Sequence, residues 1–515
     1  MYIAYANSMF VLRNKKQMFS VQYCVISTCL LLSSCQKQII DVAKSQVWGP
    51  GLNPDDIVLP ARYFFIHAID SSGKKMSMPH TNFQVSIDGY SKDGKCRSNI
   101  NYIDREDGSI IVRYTIVDWC EQVEINVKHN SSHVAQSPYY IQNKVYSERC
   151  YCPQDLDLWL LNNRCSDFSK DKQISWDLHL FKRVNFSAIR ENLLKRYNAP
   201  ESISLCHYVV KQQQIWRKCF GKYTGFKMFM DATLSALARV VLLPEMEFYL
   251  NLGDWPLSRK GGQQRTSGPY PIFSWCGSDD SYDITLPTYD ITESTLENMG
   301  RVMLDMLSVQ QTDIPWDNKE EKGFFRGRDS RRERLKLIEL GRKFPDLINA
   351  SITNFFFFRN EEQKYGPRVP HISFMEFFRY KYQLNIDGAV AAYRLPYLLA
   401  GGSLVFKQES HYYEHFYNKL LPYKHYVPIK RDLSDIIDKI RWAKDNDIRA
   451  KEITLAARKF VDENLLPQHI YCYHMTLFKE WSNRLISPVK VLPGMENLSL
   501  SYSCSCTKGQ TRDEL

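Results

Sequence analysis

The chain has 515 residues, 44% of them apolar and 24% charged, with a formal net charge of +10. That is the length of roughly three domains and an ordinary globular composition, without a low-complexity tract. Charge alone admits a nucleic-acid partner, but the aromatic residues form core-like runs rather than a stacking platform interleaved with Arg and Lys, which argues against one.

Near the N-terminus Arg13, Lys15 and Lys16 precede an apolar run centred on residues 24–32 and followed by Ser33, Ser34 and Cys35. This layout predicts a secretory signal peptide over residues 1–35. The run is short and broken by Ser27 and Thr28, so a membrane span is the weaker reading. Met9 and Met18 stay open as alternative starts. The chain ends Arg512-Asp513-Glu514-Leu515, a variant of the KDEL retention address. Together the two ends predict the endoplasmic reticulum lumen, no membrane span, a retrieval receptor as partner, and residues 486–515 as a tail. That lumen is oxidising, so cysteines there are expected in disulfides. Of 14 cysteines, Cys24, Cys29 and Cys35 lie in or beside the signal; the remaining 11 are an odd number, leaving at least one free thiol. Cys150-x-Cys152 and Cys504-x-Cys506 lack the CxxC spacing of zinc ligands. Asn130, Asn185, Asn349 and Asn497 head N-x-S/T sequons.

Residues 46–145 read as short strands at 61–69, 83–87 and 109–117. A further strand has Val123, Ile125 and Val127 alternating with Glu124, Asn126 and Lys128. Such spacing predicts an immunoglobulin-like β-sandwich. DREDGSIIVRY and VEINVKHNSSHVAQSPYYI resemble a filamin-type repeat, a module expected to bind or space rather than catalyse.

Cys150-Tyr151-Cys152-Pro153 marks a boundary, after which residues 155–162 and 186–197 read as helices. Strands and helices then alternate. The first half, about 150–305, has strands at 206–209, 247–252 and 271–276, a strand end at 286–289, and helices at 226–240 and 294–307. The second, about 306–465, has strands at 322–330, 353–358, 383–386, 403–407 and 425–429. Its helices are expected at 331–341, 373–382, 389–399, 433–443 and 448–461. Two such halves predict two Rossmann-like domains facing a cleft, within a catalytic region of 150–485 whose last helix returns to the first half.

Chemistry in open α/β sheets sits beyond the carboxyl ends of strands. Asp254, in EMEFYLNLGDWP, follows a buried strand at once; a turn or cap role is the alternative. In FFRGRDSRRER five arginines crowd a turn leading into a helix, where free N–H groups and guanidiniums suit a diphosphate, or else form a solvated basic face. In DGAVAAYRLPYLLAGGS small residues open a helix and permit close backbone approach, and Arg394 lies in an apolar setting that calls for an anionic partner. No P-loop, GxGxxG, GxSxG or HExxH string occurs. His411-x-x-Glu414-His415 matches an inverted zinc-protease string, weighed against a ribose-binding role for Glu414. The DxD strings 155–157 and 445–447 read as caps or solvated helix faces rather than metal–nucleotide ligands.

LGDWP, PIFSWCGS, DITLPTYD, FFRGRDSRRERL, TNFFFF, NIDGAVAAYRLPYLLAGGSLVFKQES, YYEHFY and the RDEL tail resemble the KDEL-containing protein O-glucosyltransferases of glycosyltransferase family 90, over about residues 46–515. The resemblance implies a filamin-like β-sandwich followed by a GT-B-type enzyme of two Rossmann-like halves. It implies inverting, metal-independent transfer from UDP-glucose to a serine of folded EGF-like repeats, on Notch-like receptors and matrix proteins. UDP-xylose is the alternative donor, and a non-catalytic client-binding protein the alternative class. By the same match Asp254 is the catalytic base. Arg326, Gly327, Arg328, Ser330 and Arg334 line the diphosphate, and Ala391, Ala392, Tyr393 and Arg394 form a second nucleotide segment. Arg328 stands where the shorter Rumi-type enzymes have serine. The resemblance also implies Cys206–Cys219 and Cys152–Cys472 disulfides.

Overall fold

The computed structural model describes residues 40–498 apart from 53–61, 92–93, 105–108, 118, 143, 148–149, 166–170, 199–200, 202–203, 262–268, 294–308 and 310–313. The expected signal peptide, the RDEL end with Cys504 and Cys506, and the helix at 294–307 therefore lie outside the described residues.

Alternating apolar residues build the first module. Its strands are β1 (Gln46–Trp48), β2 (Arg62–Ile69), β3 (Lys75–Met76), β4 (Gln84–Ser91), β5 (Gly94–Lys95), β6 (Ser98–Asp104), β7 (Ser109–Ile116), β8 (Glu121–His129), β9 (Ser132–His133) and β10 (Tyr139–Ile141). One sheet runs β1-β2-β7-β6 with β3 beside β2; the other runs β10-β8-β4-β5 with β9 beside β8. Phe64, Ile66 and Val112 from the first meet Val123, Ile125 and Val127 from the second, a sandwich core. β2 is buried at every position rather than every other one. The reason is a second cover: Tyr63, Phe65, Ile103 and Ile111 on its outer face pack around Leu466 of the following region.

The first α/β half contains β11 (Leu205–Lys211), β12 (Gln214–Phe220), β13 (Met246–Asn251), β14 (Ile272–Ser274), β15 (Gly277–Ser278) and β16 (Ile284–Thr285). Its sheet runs β16-β14-β13-β11-β12, with the late strand Glu496–Asn497 on the edge. β13, β14 and β16 are parallel, but β11 is antiparallel to both neighbours. This half is thus Rossmann-like on one side only. Gln212 and Gln213 take positive φ of 49° and 60°, forming a two-residue hairpin that cannot carry a parallel crossover. Cys206 and Cys219 face each other across that hairpin and are joined.

The second half contains β17 (Glu320–Arg328), β18 (Ile348–Asn354), β19 (Tyr380–Asn385), β20 (Leu404–Gln408), β21 (Tyr412–Tyr413) and β22 (Val427–Ile429). Its sheet is wholly parallel, in the order β18-β17-β19-β20-β22. β21 leaves it to pair with β15, so a backbone ladder joins the halves. The helix Pro467–Ser482 returns to the first half, where Trp481 Nε1 donates to the carbonyl of Glu247 at 2.9 Å.

Several details differ from the sequence reading. The helix expected at 373–382 is a 3-10 turn, Phe374–Arg379, that runs straight into the strand Tyr380–Asn385. Cys472 pairs with Cys165, not Cys152, because the helix Leu156–Asn162 brings Cys165 within 5.3 Å (Cα to Cα); Cys150 and Cys152 are also disulfide-bonded. The strand expected at 353–358 is Ile348–Asn354. Beyond it the N–H groups of Phe356, Phe357 and Phe358 turn to the buried Asp329 carboxylate, at 2.8, 3.2 and 2.6 Å. The helix expected at 389–399 starts only at Leu395, since Pro396 suits a first turn and breaks an interior one. The expected tail is packed at its start: Ile486 N donates to Val184 O at 2.9 Å and Lys211 Nζ to Val489 O at 2.9 Å. Among the described residues no helix is long and apolar enough to cross a membrane.

Candidate active site

β13 is buried at all six positions and hands the chain to a polar turn. The side chain of Asn251 closes that turn: Oδ1 accepts from Gly253 N at 2.8 Å and Nδ2 donates to Trp255 O at 2.7 Å. Asp254 rides between them, half-buried. Burial pushes its carboxyl above the ordinary range, and the charge of Arg328 pulls it back. Its carbonyl accepts from Cys276 Sγ at 3.4 Å, a buried free thiol that burial pushes up. Asp254 lines a cavity of about 300 Å³ whose other walls include Tyr289, Ser330, Arg334 and the non-helical segment 388–394.

A second cavity of about 430 Å³ adjoins it, sharing Ser330, Arg334, Tyr393 and Arg394 and adding Arg326, Gly327 and Arg328. Asp254, the six residues from 326–334 and 394, and Ala391, Ala392 and Tyr393 are thus brought together around two joined cavities. The glycines admit the arginines. A Cβ on Gly327 would stand 3.1 Å from Arg394 Nη2, and one on Gly388 3.2 Å from Arg334 Nη2. Arg334 is buried and held by neutral oxygens: Nε donates to Asp387 O at 2.7 Å, Nη1 to Arg328 O at 3.0 Å and Ser330 Oγ at 3.4 Å, and Nη2 to Ile386 O at 3.0 Å. Arg394 Nη1 donates to Arg326 O at 2.6 Å. Burial lowers them to about 9 and about 10. Neither guanidinium meets a carboxylate within ion-pair distance among the described residues. Two desolvated cations held only by neutral dipoles make a site that favours an anion.

Other arginines of the cluster are engaged. Arg326 donates to Asn349 O at 3.1 Å and Asn349 Oδ1 at 2.8 Å, beneath the cavity wall. The half-buried Asn349 sequon side chain is thus engaged, its Nδ2 donating to the Tyr380 hydroxyl at 2.9 Å. Arg332 pairs with Glu361 at 2.6 Å on the surface, as a solvated helix face would. Glu414 lines neither cavity. It is buried, and pushed up to about 8 by burial, beside the Tyr417 and Thr288 hydroxyls. His411 instead pairs with Asp279 at 3.5 Å, and His415 packs edge-on against Tyr473. Among the described residues no group of three or more His, Cys, Asp and Glu is placed to hold a metal ion. Asp155 caps its helix, accepting from Asp157 N and Leu158 N, while Asp447 accepts from Trp316 and Lys381.

The sequence reading missed one wall of the larger cavity. His371, Ile372, Phe374, Phe377 and Tyr397 line it opposite the arginines, and Phe374 stacks on Phe377 at 4.7 Å. They lie on a 3-10 turn, its preceding loop and a short helix, with no shared periodicity to announce them. Tyr289, expected at a strand end, opens the short helix Tyr289–Glu293. Its ring stacks on Phe229 at 4.8 Å and meets Tyr393 edge-on at 5.7 Å, an aromatic bridge between the halves.

A β-sandwich followed by two α/β halves that share a cleft of this kind defines a glycosyltransferase. The model of glycosyl transferase family 90 matches residues 161–515 and that of the filamin/ABP280 repeat residues 39–140. The chain belongs to glycosyl transferase family 90. It is 46% identical to protein O-glucosyltransferase 2 of Danio rerio, over 92% of this chain and 94% of that one. It is 42% identical to protein O-glucosyltransferase 3 of Homo sapiens, over 94% and 97%. The O-glucosyltransferase rumi of Drosophila melanogaster is 30% identical over 58% of this chain and 78% of its own.

Proposed function

We propose that this chain transfers glucose from UDP-glucose to a serine hydroxyl of folded EGF-like repeats in the endoplasmic reticulum lumen, with Asp254 as general base. The observation that carries the reading is the pair of guanidiniums, Arg334 and Arg394, without carboxylate partners and facing the same cavity as Asp254. A diphosphate is the anion two such forks fit. The aromatic wall of Phe374, Phe377 and Tyr397 suits a flat nucleobase at the far end.

In the proposed step the serine oxygen attacks the anomeric carbon and Asp254 takes the serine proton. The bond from that carbon to the diphosphate oxygen breaks with inversion, and the arginines stabilise the charge that develops on the departing UDP. The close relatives named protein O-glucosyltransferase support the sugar and the protein acceptor. The signal layout and RDEL end support the lumen and the retrieval receptor, with Notch-like receptors and matrix proteins as clients of the sandwich-bearing enzyme.

The test is transfer from UDP-glucose and UDP-xylose to a panel of folded EGF repeats, read by mass spectrometry with Asp254→Asn alongside. A hexose increment on the wild type that falls by about 10²–10⁴ in the variant is expected. A pentose increment would make the chain a xylosyltransferase, and no increment from either donor would leave a client-binding protein.

A further inference from the structure

Ser274 in PIFSWCGS and Asp283, which opens DITLPTYD, line neither cavity. Both are buried, Asp283 to 2% exposure, and both are bonded to the turn that carries Asp254. Asp283 Oδ1 accepts from Leu257 N at 2.9 Å and from Ser274 Oγ at 2.6 Å, and Oδ2 accepts from Ser258 N at 2.8 Å. Ser274 Oγ accepts in turn from Asn251 Nδ2 at 3.1 Å, the amide that also reaches Trp255 O. Ser258 is held further by Tyr282 N on its carbonyl at 2.7 Å and Tyr270 N on its hydroxyl at 3.1 Å.

Residues Gly253, Trp255, Leu257 and Ser258 are therefore each tied to one buried network, Asn251–Ser274–Asp283. The carboxylate of Asp254, in their midst, receives no hydrogen bond from the described residues. The frame is bonded and the reacting group is left free. Asp283 is a costly way to build such a frame, because no cation stands within ion-pair distance of it among the described residues and burial, opposed only in part by its hydrogen bonds and the more distant Arg259, pushes its carboxyl up to about 6. A carboxylate nonetheless does what no neutral side chain of its size does: it accepts two backbone N–H groups, one on each oxygen.

We propose that Asp283, acting through Ser274 and Asn251, is the positioning residue for the base, fixing the 253–258 turn so that the Asp254 carboxylate meets the acceptor hydroxyl. This rests on the reading of Asp254 as the base. Both oxygens of Asp283 face a backbone N–H, so in Asp283→Asn either amide orientation sets an NH₂ donor against Leu257 N or Ser258 N. The turn must then shift, and misplacement of a reacting group by about 1 Å costs on the order of 10²-fold.

The experiment measures kcat, donor KM and UDP affinity for Asp283→Asn, Ser274→Ala and Asp254→Asn in the full chain. For Asp283→Asn the expected result is a kcat reduced at least about 10-fold, with donor KM and UDP affinity within about twofold of wild type. Unchanged kcat, or UDP affinity lost in step with kcat, overturns the inference. Should Asp283→Asn fail to fold, Ser274→Ala keeps both backbone bonds; it is expected to lower kcat about 2–5-fold at constant donor KM, and an unchanged kcat there overturns the inference. Transfer surviving in Asp254→Asn overturns the base reading and this inference with it. Loss in Asp254→Asn beside full kcat in Asp283→Asn overturns the inference alone.

Discussion

One added methyl group tests the anion site. A Cβ at Gly327 would lie 2.9 Å from Phe325 Cζ, 3.1 Å from Arg394 Nη2 and 3.3 Å from Arg334 Nη1. Ordinary contact begins near 3.4 Å, so the overlap with the ring is about 0.5 Å. Phe325 is fully buried and cannot retreat. Its ring also underlies both cations, with Arg334 Cζ 5.3 Å and Arg394 Cζ 5.5 Å from the centroid. The strain therefore passes to the guanidiniums.

Overpacking of this kind costs about 1–3 kcal/mol, which lowers Tm by about 1–3 °C in a protein of this size. A charge-assisted hydrogen bond is worth about 1.5–3 kcal/mol, so displacing one fork from the diphosphate weakens UDP binding by about 10–100-fold. Gly388→Ala, with a Cβ 3.2 Å from Arg334 Nη2, should show a smaller loss. Gly225→Ala, with nothing within 4 Å, should show none. Calorimetry of UDP binding and thermal melts on the three variants decide the matter. If Gly327→Ala melts earlier yet binds UDP as tightly as wild type, the guanidiniums are structural and the anion site is elsewhere.

Two further predictions concern charge and covalent frame. Burial raises the Asp254 carboxyl and Arg328 lowers it, so Arg328→Ser lifts it further; because the base works ionised, activity is lost as pH falls through its pKa, and the acid limb of kcat against pH moves to higher pH. A limb that stays in place would show that Arg328 does not act on the base. Cys472→Ser opens a link across 307 residues and should cost about 3–5 kcal/mol in denaturant unfolding, whereas Cys152→Ser leaves the Cys165–Cys472 link intact; an unchanged midpoint in Cys472→Ser would refute that pairing.

Legibility in the sequence followed the range over which the deciding forces act. Strand ends with a period of two, as at Val123, Ile125 and Val127, or a buried run stopped by a polar turn, as at Asn251, are local and were readable. So was the helix Phe186–Tyr197, which runs from its Asn185 cap to Tyr197 as the sequence reading has it. The segment after Asn354 was not, because β-propensity in TNFFFF is overridden by Asp329, a carboxylate some 27 residues upstream that collects three N–H groups. The start of the helix at Leu395 was misplaced although Pro396 was in view, because Ala389, Ala391 and Ala392 carry high helix propensity. The ten candidate site residues were found through motifs, while the Phe374–Phe377 wall and the Asp283 clamp depend on contacts that no local spacing encodes.

With Asp254 as the proposed base on one half and the arginines on the other, the placement has a chemical consequence. A serine hydroxyl is a poor proton donor, so its acceptor must be as basic as a carboxylate becomes on leaving water, which the burial of Asp254 supplies. A carboxylate made too basic would hold a proton at rest and abstract none. Arg328 opposes that drift from the opposing half. It also lines the cavity of the anion, and a bound diphosphate beside it would screen part of its charge. Donor binding would then raise the basicity of Asp254 at the moment the acceptor needs it, while the donor-free enzyme keeps the base ionised. Serine at position 328 removes both effects together: Arg328→Ser should show an acid limb that no longer shifts when UDP-sugar saturates the enzyme. Comparing kcat/KM for the acceptor against pH at low and saturating donor tests this, and a donor-dependent shift that persists in Arg328→Ser would assign the coupling to another charge.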